Sequence, residues 1–391
     1  MANAPLTLTA VTREILRVAH EELAFIGTVD RQYDSQYAQN GAKNGDTLKI
    51  RLPNKYTVRT GKDIDVQDTD EQSVSLVVAT QKGVDVAFSS AEMAMEMDDY
   101  SARIIRPMMS VLASNIESTM LDTVTKEVYN HVGTPGTLPT ILEIAQAKAK
   151  LNQNLAPKSG RTIQMESVDM AGEVNALKGL FHDAKEVAKQ YREGYVGRSM
   201  GLDWVENERI YSHTTGSDFT TVDVNESSFA EGDTTLTTAG GNFNVGDIFT
   251  IASVNAVHPE TKVAYQHLQQ FVITEAGTTT ATFQPPLYST GAKQNISEMP
   301  ANNDVMTFVG TASTAYPNHL VYSPEAFAFA TADLHLPKNV EGSRESFDGL
   351  SIRCLKGYDF KSDVEAIRVD ILHGFKAIRP EWACRIMGAG S

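Results

Sequence analysis

The sequence predicts an α+β chain in which a small β unit interrupts a host of mixed helices and strands. Three observations carry this. Residues 98–132 hold a helical apolar stripe of unusual length. Residues 45–88 alternate as strands around a polar excursion. Residues 215–312 change composition abruptly toward Thr, Val, Phe, Gly and Asn.

The first element is an amphipathic helix over residues 6–26. Leu8, Val11, Ile15, Val18, Leu23 and Ile26 approximate one face, and Gly27 follows at a terminating position. The polar run VDRQYDSQYAQNGAKNGD cannot offset its ordering entropy by burial, so it reads as an extended arm or loop. TLKIRLP then places Leu48, Ile50 and Leu52 on one face and Lys49 and Arg51 on the other, a half-buried strand. Residues 60–72 are charged and show no apolar pattern. Strand signal returns at Val74, Leu76 and Val78, and again at Val84, Val86 and Phe88. Together these predict a long hairpin with a solvent-exposed tip, whose unpaired edges call for cover by a neighbouring molecule.

In the long helix the stripe is Ile105, Met109, Leu112, Ile116, Met120, Val124 and Val128, at steps of three or four. Asp98 and Asp99 suit the N-terminal dipole, Gly133 and Pro135 stop the run, and Pro107 marks the first turn or a kink. The span corresponds to roughly 50 Å. Glu117 falls off the stripe and is expected to tolerate a change of charge.

LPTILEIAQAKAKLNQNLAP predicts a second host helix ending at Pro157, and RTIQMESV a short strand. Ser167 or Asp169 can cap the following helix, which extends to about residue 194. In residues 215–312, TTVDV, TTLTT, DIFTIASV, QQFVIT, TTTATFQ and DVMTFVG are short strands punctuated by turn residues, the pattern of a small barrel or sandwich. Val245, Ile248, Phe249, Ile251, Val254, Phe271, Val272 and Ile273 are its expected core, with Asn244–Asp247 as a turn. Its two ends must meet, because an insertion leaves and re-enters its host at one place. Helical character is expected to resume in NHLVYSPEAFAFATADLHLP, and the last segment is strand-rich.

The chain has 391 residues and a net charge of −15. That charge disfavours dedicated nucleic-acid binding, which needs clustered Lys and Arg. Cys354 and Cys384 make no disulfide framework, so a reducing compartment is expected. The N-terminus lacks the regions of a signal peptide, and no apolar run reaches bilayer length. No P-loop, HExxH, CxxC pair or GxSxG occurs. His20-Glu21-Glu22 and His182-Asp183 read as solvated helix faces. The acidic group Asp63, Asp65, Asp68, Asp70 and Glu71 lacks the Gly and distal Glu of a calcium loop and reads as a hydrated tip. Cys384 reads as a small buried apolar residue. No catalytic residue, cofactor site or metal site is predicted.

The order of parts resembles the major capsid (coat) proteins of tailed bacteriophages, in the branch typified by the phage P22 coat protein. The resemblance rests on GDTLKIRLP with YTVRTG, on QKGVDVAFSSAEMAMEMDDY leading into the long helix, on NVGDIFTIASVNAVHPETK, and on RVDILHGFKAIRPEWACRI. It implies the HK97-type capsid fold. The N-terminal arm would occupy 1–43, the extended loop 44–90, the peripheral domain with its spine helix 91–135, and the axial domain 136–214. An inserted β-barrel would occupy 215–312, and 313–391 would return to the axial and peripheral domains. The implied function is an icosahedral shell of pentamers and hexamers that encloses double-stranded DNA without sequence-specific binding. The implied partners are a separate scaffolding protein and a portal protein, with no membrane; the implied location is the virion. Inter-subunit contact candidates are Leu48, Ile50, Arg51, Arg59 and Lys62 of the hairpin. Asp223, Glu226, Glu231 and Asp233 join them from a short acidic loop of the insert. The alternative from another class is a tail-associated or receptor-binding structural protein; an α/β enzyme with a β lid would need convergent polar residues that the sequence does not display.

Overall fold

The computed structural model describes residues 8–33, 47–59, 61–64, 66–67, 71–88, 101–177, 197–220, 222–277, 279–359 and 364–389. Asp98, Asp99, most of the polar arm, the expected continuation of a helix beyond Leu177 with His182-Asp183, and Asp65, Asp68 and Asp70 lie outside them. The chain forms two compact units. One comprises residues 1–51, 73–120 and 327–378, the other 52–72, 121–326 and 379–391.

In the first unit, helix Leu8–Glu22 buries Leu8, Val11, Ile15 and Val18, the predicted face. Leu23 and Ile26 are buried in the turn that follows. Strand Asp30–Tyr33 runs parallel to Phe327–Ala332. Antiparallel pairing then joins Phe327–Ala332 to Val364–Ala377, Leu350–Asp359 and Glu341–Phe347. Strand Thr80–Phe88 pairs with the long strand Val364–Ala377, from Phe88 opposite Glu365 to Thr80 opposite His373. This corrects the hairpin expectation. Only Ser73–Val77 pairs with Thr47–Arg51; Val84 and Val86 serve a different sheet. The two paths part beside Gly374, where a Cβ would lie 2.1 Å from the Val77 carbonyl oxygen, so only glycine permits that approach.

The long helix runs from Arg106 to Glu127, preceded by a π-helical turn at Ser101–Ile105. Its 22 residues make about 33 Å, shorter than the expected span. Pro107 falls directly after that π-helical turn, in the first turn of the α-helix. The helix ends before Gly133 because residues 131–132 are drawn into a sheet. Ile105, Met109, Leu112, Ile116, Met120, Val124 and Val128 are all buried. Glu117 is buried too, contrary to expectation. Its Oε1 accepts hydrogen bonds from Phe25 N–H at 2.6 Å and Ile26 N–H at 3.2 Å, so it holds the turn after the first helix.

The second unit contains a sheet in the order 131–132, 383–387, 315–322, 162–165, 202–206, 198–199, with 212–214 also paired to 315–322. Helix Ile141–Gln153 opens on a capping box between Thr140 and Glu143. It packs Ile144, Ala147 and Leu151 onto Ile163, Trp204, Val321, Cys384 and Ile386. Cys384 is fully buried, as expected, and burial pushes its thiol up to about 12. Two expectations fail here. Residues 315–332 form strand, 3-10 turn and strand rather than helix, because partner strands on both sides outweigh the alanine content. Asp169, a candidate cap, instead pairs with His319.

The same unit holds a six-stranded antiparallel sheet in the order 223–224, 235–239, 280–284, 264–276, 248–257, 306–308. Asp223 bridges Val305, and Met306 N–H donates to Val222 O at 2.9 Å. The last strand therefore returns to the first and the sheet closes. Inside lie Val222, Leu236, Phe249, Ile251, Val254, Phe271, Ile273 and Phe283. Val245 does not; it is 39 % exposed in the turn 244–247. Ile248 and Val272 are buried, but in a different cluster described below.

Candidate functional site

Residues 52–72 connect the hairpin strands Thr47–Arg51 and Ser73–Val77. Leu48 faces Leu76 and Ile50 faces Val74 across the pair. Leu48 and Ile50 are half-buried, and Arg51 is exposed. The ladder gains a step as Leu52 N–H donates to Gln72 O at 2.8 Å. Farther out, the Gln67 amide clasps Thr57, accepting from its N–H at 2.8 Å and donating to its carbonyl at 2.7 Å. Arg59 donates to the carbonyls of Gly61 and Asp63. Lys62 is exposed. This shaped loop presents Tyr56, Val58, Ile64 and Val66 to solvent, with Val58 96 % exposed. Ile64 and Val66 were hidden in the sequence by the charges around them.

In the first unit, Lys82, on the strand that departs from the hairpin, is fastened to the long helix. Its ammonium donates to Asn115 Oδ1 at 2.6 Å and Thr119 Oγ1 at 2.8 Å. Burial lowers its pKa.

The acidic candidates of the closed sheet are mostly occupied by donors of the same sheet and its loops. Glu231 accepts from Ser289 N–H at 2.9 Å, Ser289 Oγ at 2.7 Å and Thr290 Oγ1 at 3.0 Å. Burial opposes ionisation there, but these hydrogen bonds hold the carboxyl below the ordinary value. Asp233 accepts from Ala230 N–H at 2.6 Å and Glu226 from Thr237 N–H at 3.2 Å. Asp223 lies in the first strand, opposite Ala239. The hairpin and acidic candidates are not brought together at one point by any hydrogen bond or ion pair among the described residues.

A second feature escaped the sequence reading: the seam where the closed sheet leaves and rejoins the chain. Thr215 N–H donates to Thr314 O at 3.0 Å, and Ser313 N–H to Gly216 O at 2.9 Å, so the two ends do meet. Asp247 accepts from Gly216 and Asn244 amides and pairs with His213 Nε2 at 2.8 Å, both side chains buried. Gly246 reaches φ +102 here, and a Cβ would lie 3.0 Å from Lys126 Cγ and 3.1 Å from His213 Cε1. Arg385 is fully buried and donates from Nη2 to Gly246 O at 2.9 Å. Burial lowers its pKa to about 9. The Gln270 amide pairs with both backbone groups of His131 at 2.9 Å, in the manner of a strand edge. Burial, with Arg385 and Lys150 nearby, lowers His131 to about 3. Tyr129, Ile248, Val272, Tyr316 and Met387 form the apolar part of the seam. The available signal was Arg385 itself, a lone cation in the otherwise apolar strand ACRIM.

The chemistry at these places is that of contact and rigidity. Among the described residues no group of three His, Cys, Asp or Glu can hold a metal ion, and no helix is long and apolar enough to cross a membrane. The buried pair His213–Asp247 ties a strand to a turn, and His319–Asp169 ties a strand to helix Ser167–Leu177. His20 belongs to a surface cluster with Asp348 at 2.9 Å and Arg31 at 3.0 Å rather than to a purely solvated face.

The family model described as P22 coat protein, gene protein 5, matches residues 1–388. Solved structures resembling the chain include Mycobacterium phage Che8, with 13% sequence identity, coverage of 94% of this chain and 92% of that one, and TM-score 0.48. The capsid structure of Cyanophage P-SCSP1u has 12% identity, coverage of 93% and 86%, and TM-score 0.41. The CUS-3 coat protein I-domain has 25% identity, covering 25% of this chain and all of its own, with TM-score 0.21. No curated protein matches.

Proposed function

The chain belongs to the P22 coat protein family, and from that premise we propose how its parts build a shell. It is a major capsid protein of the bacteriophage coat class and a component of the virion. Our reading is that pentamers and hexamers of this chain close an icosahedral head around double-stranded DNA, first as a precursor shell on a separate scaffolding protein and with a portal protein at one vertex. Assembly takes place in the host cytoplasm. The role is structural, with no chemical step.

The observation that carries this reading is the hairpin loop. Val58, Ile64 and Val66 are more than four-fifths exposed while the loop is fixed by its own hydrogen bonds. Such a surface is stabilised by lying on a second copy, and many weak contacts of this kind add up to a durable shell. Leu48, Ile50, Arg51, Arg59 and Lys62 are the hairpin's contact residues in this reading. For the inserted domain, 215–312, the acidic contacts fall to Asp223 foremost, because Glu226, Glu231 and Asp233 accept hydrogen bonds from within the domain. The net charge of −15 suits an inner wall that contains DNA without gripping it. The test is electron microscopy of the overexpressed protein with and without its candidate scaffolding protein. Closed shells are expected; trimers or small rings in both preparations would overturn the reading.

A further inference from the structure

Helix Ser167–Leu177 carries a carboxyl group to which the described residues give no counterion. Glu173 is fully buried, and among the described residues neither of its carboxyl oxygens has a hydrogen-bond partner. One helical turn earlier lies Asp169, also buried. Its Oδ2 meets His319 Nε2 at 2.5 Å, from strand Ala315–Tyr322, while its Oδ1 is without a partner. Residues four apart share a helix face, so Asp169 and Glu173 lie on the same side of this helix. A third carboxylate, Glu143, comes from the preceding helix, where it accepts from Thr134 N–H at 3.1 Å and Thr140 N–H at 2.8 Å. Among the described residues the charges acting on Glu173 are those of Glu143 and Asp169, both negative. His319 is engaged with Asp169. Burial, then Glu143 and Asp169, push the Glu173 carboxyl up to about 7.

A carboxylate in such a place is disfavoured, but a carboxylic acid has a use there, since its O–H matches the vacant acceptor on Asp169. We propose that Glu173 is a proton-operated latch: protonated, it donates a hydrogen bond to Asp169 Oδ1 and seats helix Ser167–Leu177; on losing that proton to solvent it sets like charges face to face, and the helix loosens. The folded state holds a proton that the open state releases above the ordinary glutamate value of 4.5. Stability of the helix therefore falls as pH rises from 4.5 to about 7 and stays at the lower level beyond. The latch is a property of the single subunit and does not depend on the shell reading.

Amide hydrogen exchange of residues 167–177 in the unassembled full-length chain, corrected for intrinsic exchange, tests this. One linked proton predicts an opening equilibrium about thirtyfold larger at pH 8 than at pH 5.5. Glu173→Gln keeps the shape and a donor but cannot ionise, and its protection should be flat over the same range. Flat protection in the unsubstituted chain, or undiminished pH dependence in Glu173→Gln, would overturn the proposal. If the variant fails to fold, a carboxyl ¹³C titration of the unsubstituted chain decides. A glutamate titrating near neutrality is expected, and titration of every glutamate below pH 6 overturns the latch.

Discussion

On the long helix every apolar side chain marked by the period, from Ile105 to Val124, is buried, and so is the carboxylate of Glu117. In the hairpin loop Val58 is 96 % exposed and Ile64 84 %. The helix finds its partners within the subunit; the loop has used backbone and amide hydrogen bonds to fix its shape and left its apolar side chains uncovered. Apolar area removed from water stabilises by about 25 cal/mol per Å² wherever the cover comes from. The helix takes that gain at folding; in the proposed reading the loop takes it at assembly. Substitutions on the helix should therefore act on folding, and substitutions on the loop on the shell.

The largest effect is expected on the helix. Ile116→Asp places an unpaired charge among buried apolar side chains and should cost several kcal/mol, giving insoluble protein. Glu117→Lys should cost about 3–5 kcal/mol, because it strips the Phe25 and Ile26 amides of their acceptor and buries a cation there. Glu117→Gln keeps an acceptor and should cost about 1–2 kcal/mol. Denaturant unfolding of the soluble variants, with solubility on expression for the rest, checks the order. A Glu117→Lys chain as stable as the unsubstituted one would break the contrast, since the helix would then have a face that folding does not use.

What the sequence made legible follows from the range of the interactions involved. The stripe at Ile105–Val128 and the alternation at Leu48, Ile50 and Leu52 are local periods, and both were read correctly. Glu117 was misread because the amides that need it lie about ninety residues away. Val84 and Val86 were placed in the hairpin because their true partner, Val364–Ala377, comes much later in the chain. Phe327–Ala332 looked helical from its alanines until strands at 30–33 and 372–377 claimed both edges. Val245 was counted as core for its type, whereas the turn around Gly246 turns it to solvent. The strands of the 215–312 unit were each anticipated, but Arg385, His213, Asp247 and Gln270 at its seam were not, because a polar seam has no period.

The closed sheet is the intermediate case, a core complete in itself joined to the host by that seam. Phe271→Ala removes a ring that packs against Phe249 at 5.5 Å and Phe283 at 5.4 Å, and should cost about 3–5 kcal/mol. A separate chain of residues 215–312 should be soluble, mainly β by circular dichroism and cooperative in melting, as its own buried cluster implies. Circular dichroism of that chain without a transition would mean that the seam, rather than the interior, holds the sheet together. It would move this region toward the loop in the comparison.

The smallest effect on stability should come from the loop, and it discriminates best. Replacing Val58, Ile64 and Val66 together by Ser alters side chains that are more than four-fifths exposed. The unfolding free energy should change by about 0.5 kcal/mol or less, while the yield of closed particles on sedimentation should collapse. Protease sensitivity separates the two consequences. The loop is expected to be cut in the free subunit and protected in the shell, and the triple variant should be cut in both preparations. The Gln67–Thr57 clasp keeps the loop's shape in the variant, so lost assembly would report lost apolar cover rather than a lost fold. Normal shell yield from the triple variant would mean that these side chains meet no neighbour. The contact would then have to rest on the polar residues Arg51, Arg59 and Lys62, whose surface ion pairs each contribute about 0–1 kcal/mol and weaken with salt. Raising the ionic strength during assembly would expose that alternative, because apolar contacts would persist under conditions that release ionic ones.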